Sequence, residues 1–140
     1  MHLTEEDMDS LSKEQKQEIL DIFGESLIEN VRDGALRYSM DIVKLLTINP
    51  IKLKQYGVFS SLSDEQQEAI CDLLSETITH TLYRFLEMFE DHSGKMKLII
   101  INDQIEYNMT AISEKMGSEI ACFEDDGWIQ KFSEIGRFVL

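Results

Sequence analysis

The residues that could perform chemistry are few, and they do not form a recognised motif. The histidines are His2, His80 and His92. Imidazole and carboxylate groups bind metals, so Glu87, Asp91 and His92 are the set from which a metal site could be imagined. Asp91 and His92 are adjacent in the chain, however, and no His-x-x-x-His or Cys-x-x-Cys spacing accompanies them. We therefore predict no metal site and no cofactor.

Nucleophilic catalysis has equally little support. The sequence contains no Gly-rich phosphate-binding loop and no Gly-x-Ser-x-Gly motif. Cys71 and Cys122 both lie in apolar stretches, which predicts buried thiols in a reducing cytoplasm. Folding could still bring a nucleophile and a base together from distant positions. Without such a pair, we predict a protein that has no enzymatic activity.

The charge balance excludes several classes of partner. The 140-residue chain has 27 Asp and Glu against 13 Lys and Arg, a net charge of −14. Lys and Arg supply most of the affinity for phosphate backbones and anionic lipids, so neither nucleic acid nor a membrane surface is expected as a direct partner. The N-terminus is acidic and resembles no secretory signal, so we expect a cytoplasmic protein. Apolar residues make up 43% of the chain, enough for one domain over residues 1–140.

The acidic residues are concentrated in two regions. Residues 1–33 and residues 64–91 each have a net charge of −7. Residues 34–63 have a net charge of +3, and residues 92–140 have a net charge of −3. Carboxylates in the first turn of a helix are favoured by the helix dipole, which explains part of this pattern.

Four acids that the dipole does not explain follow one another at a spacing of four residues: Asp21, Glu25, Glu29 and Asp33. On a helix, like charges at this spacing share a face and repel one another. Two interpretations remain open. The stripe is either a solvated face or a surface that binds a basic protein, since complementary fields speed and orient association.

A second acidic group, Glu124, Asp125 and Asp126, is followed at once by Gly127 and Trp128. Tryptophan is enriched at the energetic centres of protein interfaces, so Trp128 beside three carboxylates could anchor a partner. The competing interpretation is that Trp128 anchors the last helix in the core. With the stripe, these residues are the candidate partner-binding set.

Two long, antiparallel amphipathic helices are expected to position these side chains. Residues 12–48 predict one long helix or two helices in near-continuation, begun by a capping box of Ser12 and Gln15 and ended at Asn49-Pro50. Apolar residues at spacings of three or four predict one buried stripe along it: Leu20, Phe23, Leu27, Val31, Ala35, Tyr38, Ile42 and Leu45. Gly24 and Gly34 interrupt the pattern and mark either a kink or the close approach of a neighbouring helix.

The second long helix follows a connection over residues 51–62. Ser63 and Gln66 repeat the capping box, and the helical pattern continues over residues 64–90. Its apolar face is broad, which predicts packing on two sides.

The sequence after Gly94 predicts a β-hairpin. Residues 97–101 form a short segment rich in β-branched isoleucine, and residues 104–109 alternate between apolar and polar side chains, with a tight turn expected at Asn102-Asp103. One or two shorter helices should follow, a third helix carrying Ile112, Met116, Ile120 and Phe123 and a last one capped by Asp126. The predicted fold is therefore mainly α with a small β-hairpin (α+β).

The segment "FEDDGWIQKFSEIG" (residues 123–136), in a small, acidic, helical chain, resembles bacterial immunity proteins of contact-dependent and polymorphic toxin systems. The resemblance implies tight binding to a basic toxin C-terminal domain, often a nuclease, and no catalysis. A monomer or a homodimer would be compatible with it. The alternatives are an acidic helical regulatory or adaptor protein, which could self-associate, and a nucleic-acid mimic.

Overall fold

The long N-terminal helix is continuous from Lys13 to Val43. In the computed structural model, which describes residues 3–113, 115–121 and 126–136, it consists of α2 (Lys13–Ser26), a π-helical segment (Leu27–Arg32) and α3 (Asp33–Val43). The short helix α1 (Glu5–Asp9) precedes it. Capping boxes begin both α1 and α2, the second being the predicted pair of Ser12 and Gln15.

The π segment changes which side chains of this helix are buried. The N–H of Asp33 bonds to the carbonyl of Ile28 five residues earlier, which adds one residue to the turn. Beyond Leu27 the buried positions therefore move forward by one residue, to Ile28, Arg32 and Leu36. The predicted stripe is wrong in this part of the helix, where Val31, Ala35 and Tyr38 are exposed.

The connection between the long helices is itself largely helical, which the sequence interpretation missed. It contains α4 (Pro50–Gln55) and a 3-10 helix (Gly57–Ser61). Asn49 caps α4, and its side-chain oxygen accepts bonds from the amides of Ile51 and Lys52. Helix α3 ends at Val43, earlier than predicted.

Helix α5 (Asp64–Asp91) runs antiparallel to α3, as predicted. Lys44, just after α3, lies 3.1 Å from Glu68 near the start of α5. Arg32, about three turns earlier in the first helix, donates to Ser75 further along α5. The residue with the lower number in the first helix (Arg32) therefore contacts the residue with the higher number in α5 (Ser75). This order of contacts shows that the two helices run in opposite directions.

The predicted hairpin is present, with the turn one residue later than expected. Strand β1 (Ile99–Asn102) pairs with β2 (Ile105–Asn108) in antiparallel register. The turn residues are Asp103 and Gln104, both with positive φ (50° and 65°), as a type I′ hairpin turn requires. The fold class, mainly α with a small hairpin, is confirmed.

Among the described residues after the hairpin there are three short helices: α6 (Met109–Ile112), α7 (Gly117–Ile120) and α8 (Trp128–Phe132). The single third helix predicted through Met116 is wrong, because the chain leaves helical geometry at Ser113. The residue that caps α8 is Gly127, not Asp126. These helices pack between α2 and the second half of α5, and the core they close includes Leu20, Ile28, Leu82, Leu86, Met109, Met116, Trp128 and Ile129.

Candidate functional site

Trp128 belongs to the core and does not offer a free surface. Its residue exposure is 0%, and its ring meets that of Phe23 edge-on at 5.8 Å between centroids. The indole ring lies directly on Gly24, where any Cβ would overlap it. Gly24 is thus a point of close approach between helices. The interpretation of Trp128 as a core anchor is confirmed, and its alternative role as an exposed interface anchor is wrong.

Asp21 fixes α8 against α2. Its carboxylate accepts hydrogen bonds from Trp128 Nε1 at 3.2 Å and from Gln17 Nε2 at 2.8 Å. Lys131 Nζ lies 3.1 Å from the second carboxylate oxygen. The predicted stripe therefore begins with a half-buried residue whose charge is already used within the fold.

Asp33, the last member of the stripe, is buried, with an exposure of 1%. It accepts from Arg32 at 2.8 Å, from Ser133 Oγ at 2.9 Å and from the amide of Glu134 at 2.9 Å. The prediction of a solvent-facing stripe is wrong at this position. The physical reason is that the segment after α8 lies over the π segment and covers it.

Arg32 extends this network to α5. Besides Asp33, its guanidinium donates to Ser75 and Thr79 on α5, both at 3.2 Å, and to Ser133 at 3.0 Å. Burial lowers the pKa of Arg32, and the charge of Asp33 and its hydrogen bond oppose that shift. A buried ion pair with hydrogen bonds on both partners ties three parts of the chain together.

Glu25 and Glu29 are the members of the stripe that remain exposed. They lie between Asp21 and Asp33 on the same helix. Within the described part of the chain, neither takes part in a salt bridge. Their charges are therefore available to a partner.

In the folded protein, Glu119 interacts with one acidic residue from each of the two groups, Asp21 and Asp126. The sequence analysis did not single out Glu119. Burial raises the pKa of Glu119, a hydrogen bond from Gln17 and the charge of Lys131 oppose that shift, and the charges of Asp21 and Asp126 add to it. We call Asp21, Glu119 and Asp126 the acidic corner. Glu119 stands alone in the sequence, so no local signal could have identified it. Asp126 is exposed, whereas Glu124 and Asp125 lie outside the described residues.

The three residues considered above as possible metal ligands are not arranged as a metal site. Glu87, Asp91 and His92 do line one open depression of about 250 Å³, but Arg84 and Met88 line it too. Across the described ranges, no three His, Cys, Asp or Glu side chains are grouped so that they could hold a metal ion. An arginine at the same depression also disfavours a cation there.

The comparisons with known proteins identify no relative. No family model, no curated protein and no solved structure matches this chain. In the part of the chain that the structure describes, no helix combines the length and apolar character that crossing a bilayer requires.

Proposed function

We propose that this chain is an immunity-type binding protein, which neutralises a basic toxin domain by occupying its surface and performs no catalysis. The observation that carries the proposal is the acidic charge that the fold does not use. The carboxylates of Asp21 and Asp33 accept hydrogen bonds from within the fold. Those of Glu25, Glu29 and Asp126 are exposed to solvent.

The acidic corner supports a cationic partner energetically. Glu119 is ionised at a cost, mainly because it is partly buried; Gln17 and Lys131 offset part of this cost, and the charges of Asp21 and Asp126 add to it. A Lys or Arg from a partner would lower the remaining cost on binding. Nuclease domains carry basic surfaces that hold phosphates, so an acidic protein of this shape can compete for the same surface.

The direct test is co-expression with the product of the neighbouring upstream gene, since an immunity gene is expected to follow its toxin gene. The expected result is protection of the cells and a complex that weakens as salt is added, because exposed charges are screened. Lack of protection together with lack of a complex would overturn the proposal.

A charge-reversed variant locates the binding surface. E25K/E29K should slow association with that partner by about tenfold or more at low salt, because steering depends on the local field. The matched control is E76K/D91K, which changes net charge equally on exposed positions of α5. If both variants slow association equally, the partner responds to total charge and the assignment to Glu25 and Glu29 is wrong.

A further inference from the structure

The connection between the two long helices has no buried side chain although its sequence is apolar. We call the segment from Lys44 to Leu62, with the ends of α3 and α5 that flank it, the apolar end. No residue between positions 44 and 70 is buried. Four aliphatic residues in it are more than two-thirds exposed: Leu46 (67%), Ile48 (94%), Ile51 (74%) and Val58 (70%). Exposed apolar side chains grouped in this way mark interaction sites on soluble proteins.

The apolar end also contains a groove. It has a volume of about 220 Å³ and is lined by Tyr38, Ile42, Tyr56, Phe59, Ile70 and Leu74. A dry apolar cavity of about 150 Å³ is large enough to bind benzene. The groove can therefore hold one or two aliphatic side chains, such as those of Ile48 and Ile51.

The charge of the apolar end suits a second copy of the chain. Residues 34–63 have a net charge of +3 in a chain of −14, so two copies repel one another least when they meet through this end. Both signs are present here, since Lys52 and Lys54 on α4 are followed by Asp64 and Glu65 at the start of α5. A two-fold axis can place the lysines of one copy opposite the carboxylates of the other.

The exposed area also suits a dimer. Burying one fully exposed large apolar side chain removes about 60–120 Å² from water, so six residues that are 59–94% exposed provide on the order of 400 Å². The six are Tyr38, Leu46, Ile48, Ile51, Val58 and Leu73. A standard interface buries about 800 Å² on each partner, of which about 65% is apolar in homodimers. The two apolar areas are of the same order.

We infer that the apolar end is a homodimer interface, in which Ile48 and Ile51 of each copy enter the groove of the other. The interface is isologous, because each copy provides both the inserted side chains and the groove. Asp21 is 22 residues before Val43, or about 30 Å along the long helix, so the acidic corner stays open in the dimer. The dimer would present two acidic corners.

Mass in solution tests this inference, measured by light scattering and sedimentation equilibrium on the full chain. The wild-type protein should reach twice the chain mass at micromolar concentrations. I48D/I51D should weaken dimerisation at least hundredfold, because it places charges in an apolar interface. The matched control I101D changes an exposed isoleucine of β1 (67% exposed) and should leave the dimer intact. Circular dichroism confirms that each variant is folded.

Salt distinguishes this interface from binding through the acidic corner. Dimerisation should persist as NaCl is added, because the contact is mainly apolar and salt screens both the lysine–carboxylate attractions and the repulsion between two copies of charge −14. A monomer at all concentrations, a dimer that I48D/I51D leaves intact, or a dimer that salt dissociates would each overturn the inference. Binding of I48D/I51D to the upstream gene product is measured separately, so failure of the dimer leaves the proposed function testable.

Discussion

The region around Trp128 and the apolar end differ in burial although both are apolar in sequence. Around Trp128, α2, the π segment and α8 enclose a fully buried indole ring. At the apolar end, α4 and the 3-10 helix contain no buried residue. Both regions contain well-capped helices, with Ser12 at one and Asn49 at the other. Local helix signals therefore do not decide which apolar residues are buried.

The difference comes from a third layer of structure. Two antiparallel helices leave one side of each uncovered, and burial requires another element on that side. The segment after the hairpin covers α2 and the π segment through Trp128 and Ser133. Within the described ranges, no element covers α4 in the same way, which leaves its apolar residues exposed to a partner.

The largest expected contrast concerns ion pairs. Arg32→Met should lower the free energy of unfolding by about 3–5 kcal/mol, because Asp33 would remain as a buried charge without its cation. The matched change at the apolar end is Lys44→Met, which removes the partly exposed pair with Glu68 and should cost less than about 1 kcal/mol. Urea denaturation measures both. Similar losses in the two variants would contradict the contrast between the regions.

A smaller contrast concerns two glycines of the same long helix. Gly24→Ala should destabilise the protein by about 1–3 kcal/mol, since its Cβ would overlap the Trp128 ring. Gly34→Ala meets no atom within 4 Å and should stabilise by up to about 1 kcal/mol through helix propensity. Thermal unfolding measures the two shifts. If both variants have a higher Tm than the wild type, Trp128 can move away from Gly24, and the region is less rigid than its packing indicates.

The smallest expected effect is the pH dependence from Glu119. Its folded pKa is raised above the ordinary value of 4.5, mainly by burial. The folded state therefore binds more protons than the unfolded state, and stability falls as the pH rises from about 4.5 through the raised pKa. Glu119→Gln should raise the Tm at neutral pH, with a difference that disappears in acid.

The control for this measurement is Glu76→Gln, which removes the same charge from an exposed position of α5. Its effect on the Tm should be smaller at neutral pH. Asp7 provides a contribution of opposite sign, because hydrogen bonds from Thr4 lower its pKa below 3.8 and that stabilisation is lost only as the pH falls further. A Tm difference for Glu119→Gln that does not vary with pH would refute the burial of its charge.

Local sequence signals predicted the secondary-structure elements more accurately than they predicted the tertiary contacts. The capping boxes at Ser12 and Ser63 begin their helices as expected, because a cap depends only on residues within one turn. The hairpin was predicted with its turn one residue early. The π segment was not predicted, since no residue type in Leu27–Arg32 requires an extra residue in the turn. Val31 and Tyr38 were therefore predicted to be buried, whereas the π segment leaves both side chains exposed.

The solvent exposure of the candidate partner-binding residues was predicted in part. Glu25 and Glu29 are exposed, and Asp126 is exposed in the second acidic group. Asp21 and Asp33 could not be assigned from their spacing, because their partners lie about a hundred residues away in the chain. Glu119 acquires its raised pKa only from neighbours in space.

The sequence by itself determined the net charge of −14, the concentration of acid on two long helices and the starts of those two helices. These properties depend on composition and on residues within one or two turns. Only the tertiary structure decided which carboxylates are used inside the fold and which remain exposed. The segment after the hairpin buries Asp33 and half-buries Asp21, and leaves Glu25 and Glu29 in water. Burial depends on which distant element packs on a surface, and the periodicity of one helix does not contain that information.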